Sequence, residues 1–169
     1  SITPLLPNLR AFANSLTRHS DLADDLVQET LIKAFQNFDK FAKGSNLKAW
    51  LFTILRNGYF SHLRKRKHEV EDIDGIHVDS ISVAPSQTAH MDLVDFNNAL
   101  AQIPVHQREA LLLVGAEGFS YEDAALMCGC AVGTMKSRVN RARSRIADIL
   151  GLSSTDEWEG KTEKVTLAR

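Results

Sequence analysis

Residues 119–146, FSYEDAALMCGCAVGTMKSRVNRARSRI, decide how this chain is read. They read as two short helices with a tight turn between them. Ala124, Ala125 and Gly129 are small where the two helices must touch. Gly129 suits a left-handed turn position, which costs residues with a Cβ more. In the second helix Met135, Val139, Ala142 and Ile146 recur at helical spacing and predict a buried stripe. The other face carries Lys136, Arg138, Arg141, Arg143 and Arg145, with Thr134, Ser137 and Asn140 between them. No acidic residue falls between Ala124 and Ala147. An ordinary solvated helix face would mix in Glu or Asp to pair with the arginines. An apolar stripe flanked by Arg, Asn and Ser suits phosphates and base edges, so the segment reads as a DNA-binding helix-turn-helix.

Charge around this segment is strongly segregated. The formal net charge is only -1. Yet residues 56–67 hold Arg56, Arg64, Lys65, Arg66 and Lys67 with no acid. Residues 69–95 hold Glu69, Glu71, Asp72, Asp74, Asp79, Asp92 and Asp95 with no Lys or Arg. Local charge, not the total, is what a nucleic acid would feel. With 169 residues the chain fits one domain or two small ones, and 44% hydrophobic residues suffice for a core.

Cys128 and Cys130 lie in the helix-turn-helix turn, with no nearby His or Cys to complete a four-ligand zinc site. Such close neighbours are awkward to join in one disulfide. They read as small buried residues in a reducing compartment. No signal peptide and no membrane-length apolar run is visible, so a cytoplasmic location and no membrane partner are expected. His19, His62, His68, His77, His90 and His106 make no ligand or triad spacing, and no Gly-rich phosphate loop is present. The expectation is a protein that is not an enzyme and needs no cofactor and no metal.

The organisation reads as all-α, with two small helical bundles joined by a flexible acidic linker. The boundaries expected are 1–68 for the first bundle, 69–90 for the linker, 91–152 for the second bundle and 153–169 for a flexible tail. In the first, Leu22, Leu26, Val27, Leu31, Ala34, Phe35 and Phe38 give a helical period that predicts burial. Ser45 or Asn46 can cap a helix running from about Leu47 to Lys67, expected to bury Leu47, Leu51, Ile54 and Leu55. Residues 69–89 have Asp-Gly, Pro85, Ser and Thr and no sustained period, as a linker does. In the second bundle Leu93, Phe96, Leu100 and Ile103 form one helix face, and Pro104 fits the start of the next helix.

Three motifs in order resemble one bacterial family. Asp24-Asp25-Leu26-Val27-Gln28-Glu29-Thr30 looks like region 2.2 of the extracytoplasmic-function sigma factors. Residues 47–54, LKAWLFTI, followed by Arg56-Asn57, look like their regions 2.3 and 2.4. Gly133-Thr134-Met135-Lys136-Ser137-Arg138, with Arg141-Ala142-Arg143, looks like the region 4.2 recognition helix. Residues 9–17, 119–125 and 128–134 further resemble the alphaproteobacterial general-stress sigma factors.

The resemblance implies a function and a set of surfaces. It implies a specificity subunit that binds core RNA polymerase and promoter DNA and starts transcription of stress-response genes. It also implies inhibition by a NepR-type anti-sigma factor, which a phosphorylated response regulator with a sigma-like domain removes. Asp25, Gln28, Glu29, Ile32 and Gln36 would bind polymerase, an assignment their exposed acids and amides suit. Asn57, Arg56, Tyr59, Phe60, Arg64 and Lys65 would meet the -10 element, since aromatic rings stack unpaired bases while cations hold the backbone. By resemblance the loop at residues 43–46, with Asn57, would hold the extruded base. Trp50 is expected to be core. Thr134, Lys136, Ser137, Arg138, Asn140 and Arg141 would contact the -35 element.

One departure stands at Ala131, where many relatives carry Ser; Ala is a poor N-cap. Two rival readings exist. One is a sigma-like mimic that binds only the anti-sigma factor, and which would be expected to lose the recognition-helix bases. The other is an autonomous helix-turn-helix regulator, which usually dimerises and leaves the first half without a purpose.

Overall fold

A computed structural model describes residues 1–72 and 91–152, with the side chains of 71, 72, 91 and 92 outside the description. Most of the expected linker and the whole expected tail therefore lie outside the described residues. The chain divides into two compact units between residues 87 and 88. Among the described residues there are seven α-helices and no strand.

The first unit holds α1 (Leu6–Thr17), α2 (Ser20–Gln36) and α3 (Leu47–Asp72). Arg18, in the left-handed region at φ 58°, closes α1 by donating its N–H to Asn14 O. His19 Nδ1 then accepts from the Leu22 N–H at 3.1 Å and caps α2. Asn46 Oδ1 accepts from the Ala49 N–H at 3.1 Å, so the capping expected at Ser45 or Asn46 falls to Asn46. The core joins Leu9, Phe12, Ala13 and Leu16 of α1 to Ala23, Leu26, Val27 and Ala34 of α2 and to Leu51, Phe52 and Leu55 of α3. Phe12 and Phe52 meet at its centre, ring centroids 4.9 Å apart.

Two expectations are corrected here. Phe35 is 70% exposed and Phe38 53% exposed. Residues 23, 26, 27, 30 and 34 complete the buried stripe of α2, and residue 35 lies about 100° round the helix from 34. Phe38 falls beyond the end of α2, in a short 3-10 turn, Phe38–Lys40. In α3, Leu47 and Ile54 are only half-buried, while Phe52 is fully buried. The second correction is to length. Helix α3 runs to Asp72 rather than ending near Lys67, so residues 69–72 belong to a helix and not to the linker. Lys65 and Glu69, opposite in charge at i,i+4 spacing, favour that extension by a few tenths of a kcal/mol.

The second unit holds α4 (Met91–Gln102), α5 (Val105–Leu111), α6 (Tyr121–Cys128) and α7 (Val132–Leu150). Pro104 stands at the N-cap of α5. Helix α5 runs on into a π turn, Leu112–Ala116, where the Glu117 N–H reaches back to Leu112 O at 2.9 Å. Helices α4, α5 and α6 all pack on α7, whose Met135, Val139, Ala142 and Ile146 are fully buried. Leu100 and Ile103 of the expected α4 face are buried, Phe96 is half-buried, and Leu93, in the first turn, is 60% exposed.

Candidate nucleic-acid and polymerase surfaces

The helix-turn-helix is assembled as its residues require. Ser120 Oγ accepts from the Asp123 N–H at 3.0 Å and starts α6. Gly129 ends it at φ 66°, and the Cys130 N–H returns to Ala125 O at 3.0 Å, a left-handed helix stop. Ala131 gives α7 no side-chain cap. With its stripe buried, α7 leaves Thr134, Lys136, Asn140 and Arg141 exposed and Ser137 and Arg138 half-exposed. All six candidate -35 residues therefore reach the surface. Lys136 Nζ stands 5.7 Å from the Tyr121 ring centroid, a cation–π distance that ties the two helices. Arg143 is half-buried and its Nε has no hydrogen-bond partner, which sets it apart from the exposed bases.

One buried contact behind the turn escaped the sequence. Glu109 of α5 is fully buried, and the Cys128 thiol donates to its Oε1 at 3.0 Å. Cys128 and Cys130 are half-buried rather than buried. Cys128 is thus a polar partner to a carboxylate as well as a small side chain. Periodicity places an acid at 109 but says nothing of a donor nineteen residues on.

In the first unit, Asp25, Gln28, Glu29, Ile32 and Gln36 are all exposed along α2, with Ile32 at 56%. Phe35 and Phe38 stand exposed on the same helix and just beyond it, so the surface is more apolar than its sequence suggested.

The candidate -10 residues divide. Tyr59 is 6% exposed and Phe60 9%, so both rings are core and offer no free face for stacking. This corrects their assignment as direct contacts. Trp50, expected to be core, is half-buried instead. It packs 5.1 Å from Phe41 and edge-on to Phe38 at 6.5 Å. Trp50 lines an open groove of about 400 Å³ with Lys33, Asn37, Lys40, Ile54, Asn57, Gly58 and Ser61. The groove gathers Asn57 with residues of α2 and the 3-10 turn, and residues 43–46 are not among its lining. Arg64 and Lys65 are exposed further along α3, and Arg64 Nη2 donates to Ser61 Oγ at 3.0 Å. Arg56 is half-exposed, its guanidinium 4.5 Å above the Phe60 ring.

No group of His, Cys, Asp or Glu among the described residues is placed to hold a metal ion. Among the same residues, no helix is long and apolar enough to cross a membrane.

Two family models match the chain: Sigma-70 region 2 over residues 2–69 and Sigma-70, region 4 over residues 93–146. The chain is 57% identical over 157 residues to the ECF RNA polymerase sigma factor EcfG of Rhodopseudomonas palustris (strain TIE-1), covering 93% of this chain and 87% of that one. It belongs to the ECF sigma factors of RNA polymerase. A sigma factor regulates transcription and is not an enzyme. This ECF sigma factor is also similar to the sigma factor RpoE of Bartonella quintana, whose structure was solved with the anti-sigma factor NepR. The two are 54% identical, with a TM-score of 0.80 over 90% of this chain and 96% of that one. A chain of the PhyRSL–NepR complex from Sphingomonas sp. Fr1 shares the fold, with a TM-score of 0.64 at 23% identity over 91% of this chain and 90% of that one.

Proposed function

We propose that this sigma factor directs core RNA polymerase to promoters of general stress genes, reading a -35 duplex with α7 and an opened -10 strand with the first unit. The observation that carries the reading is the surface of α7. Six polar or basic side chains reach solvent beside a fully buried stripe, with no acid among them. The -10 strand would follow Arg64 and Lys65 and place a base against Asn57, with Trp50 as the accessible ring of the groove. Tyr59 and Phe60 act behind that surface, as packing. Asp25, Gln28, Glu29, Ile32 and Gln36 would grip the polymerase. The domains follow the limits 1–72 and 91–152, with the intervening acidic segment as tether and residues 153–169 as tail.

Regulation by a NepR-type anti-sigma factor is part of the same proposal. Support comes from the 54% identity to a sigma factor solved with NepR. The inhibitor would cover part of the α2 face and part of the second unit at once and so exclude polymerase. Run-off transcription from a -35/-10 promoter with core polymerase tests the activity. Absence of specific transcripts would reject it. Titrating the anti-sigma protein into a preformed sigma–polymerase complex tests the occlusion; a stable ternary complex would reject that mechanism and leave the promoter reading standing. Reversing charge at Asp25 and Glu29 should impair assembly and spare -35 binding.

A further inference from the structure

We infer that Arg56 is a positioning residue that turns the amide N–H donors of Asn57 toward an unpaired base. Neighbours at i,i+1 on a helix do not normally face each other. Here Arg56 Nη1 donates to Asn57 Oδ1 at 3.0 Å. The guanidinium is held for this by the Phe60 ring, 4.5 Å beneath it, one helical turn on. Phe60 is itself 9% exposed and fixed in the core, so the platform is rigid.

The chemistry of the pair settles the amide's orientation. A guanidinium has five N–H donors and no acceptor, so only the oxygen of Asn57 can face it. The two N–H donors of Asn57 are then what remains for an occupant of the groove that Asn57 lines. An asparagine free to rotate can offer donor and acceptor together, the pairing that suits adenine through its N6 and N7. With its oxygen turned to Arg56 and its N–H groups turned away from it, Asn57 matches instead a base edge that presents acceptors to those N–H groups: the carbonyls of thymine or guanine, or O2 and N3 of cytosine. The ligand class is therefore an extruded base with a carbonyl on the edge presented. Arg56 reaches the DNA only through Asn57 and is not a phosphate contact.

This rests on the proposed reading of Asn57 as a -10 contact, and the experiment separates the two. Holoenzyme is titrated against fork-junction DNAs whose exposed non-template -10 strand carries each of the four bases at each position. Wild type should disfavour adenine at one position by about 3- to 10-fold, as one hydrogen bond at stake implies. Arg56→Met keeps the stem over Phe60 and frees the amide to rotate; the penalty should shrink to within about twofold. Asn57→Asp presents no N–H and should abolish the preference for carbonyl-bearing bases at that position alone. Uniform weakening of Arg56→Met on every DNA, with the salt slope lowered by about one, would mean a phosphate contact and overturn the proposal. Adenine favoured by wild type at the position Asn57 governs would also overturn it. An Asn57→Ala holoenzyme with unchanged preferences everywhere would remove the underlying reading as well.

Discussion

Helices α3 and α7 are both long and basic, and both are proposed to meet DNA, yet they divide their side chains differently. Helix α7 has two clean faces: Met135, Val139, Ala142 and Ile146 fully buried, and the candidate -35 residues reaching the surface. Helix α3 has no such division. Phe52, Tyr59 and Phe60 go to the core, Trp50 lines a groove, and Arg56 lies over a ring. A duplex groove accepts a rigid rod, so one amphipathic helix suffices. The proposed single strand would need walls on both sides, and Lys33, Asn37 and Lys40 of α2 and the turn after it line the groove opposite α3.

The largest effect that would break this comparison concerns the two cores. Phe52→Ala should destabilise the first unit by about 3–5 kcal/mol, and Met135→Ala the second by about 2–5 kcal/mol. Urea unfolding followed by probes in each unit checks it. A loss for Phe52→Ala below about 1 kcal/mol would show that this ring is a surface group after all.

Next comes the exposed face of α7. Replacing Lys136, Arg138 or Arg141 by Ala should weaken binding to a -35 duplex by about 1–3 kcal/mol where a base is read. Where a phosphate is held, the salt slope falls by about one. Titrations at several salt concentrations distinguish the two, and a variant unchanged in both leaves the groove-facing set. Arg143→Ala should have no such signature.

Phe35 sharpens the contrast between burial and exposure within the first unit. At 70% exposed, Phe35→Ala should change folding stability by no more than about 0.5 kcal/mol. Assembly with core polymerase should nevertheless weaken by at least about 1 kcal/mol, as for an aromatic contact at an interface. Unfolding and a pull-down with core polymerase read the two quantities, and intact assembly would remove Phe35 from the docking face. The smallest effect belongs to the uncapped start of α7. Ala131→Ser should stabilise the second unit by about 1 kcal/mol through a new cap, visible as a higher unfolding midpoint.

These contrasts also explain what the sequence could and could not tell. The stripe of α7, the left-handed Gly129 and the missing cap at Ala131 are local features, and each was legible from spacing and residue type. Trp50, Tyr59 and Phe60 were not. An aromatic residue satisfies the core and a base platform equally well, and only the packing partner decides between them. Phe35 and Phe38 misled for the opposite reason, since they continue an apolar pattern beyond the stripe that α1 and α3 can cover. The groove was half visible, because Asn57 was found by motif while Lys33, Asn37 and Lys40 come from a different helix and turn. Glu109 and Cys128 meet only through tertiary packing.

The π turn at Leu112–Ala116 makes the orientation of the helices that follow it a matter of counting. A π turn takes one more residue to close than an α turn. The chain beyond it thus leaves α5 about 100° out of phase with a regular continuation. Phe119, anchored by its N–H on Leu113 O at 3.0 Å and almost wholly buried, takes up that phase and hands it to α6. Removing one residue from the turn would favour a regular helix, draw Phe119 out of its buried seat and disturb the packing of α7 on α5.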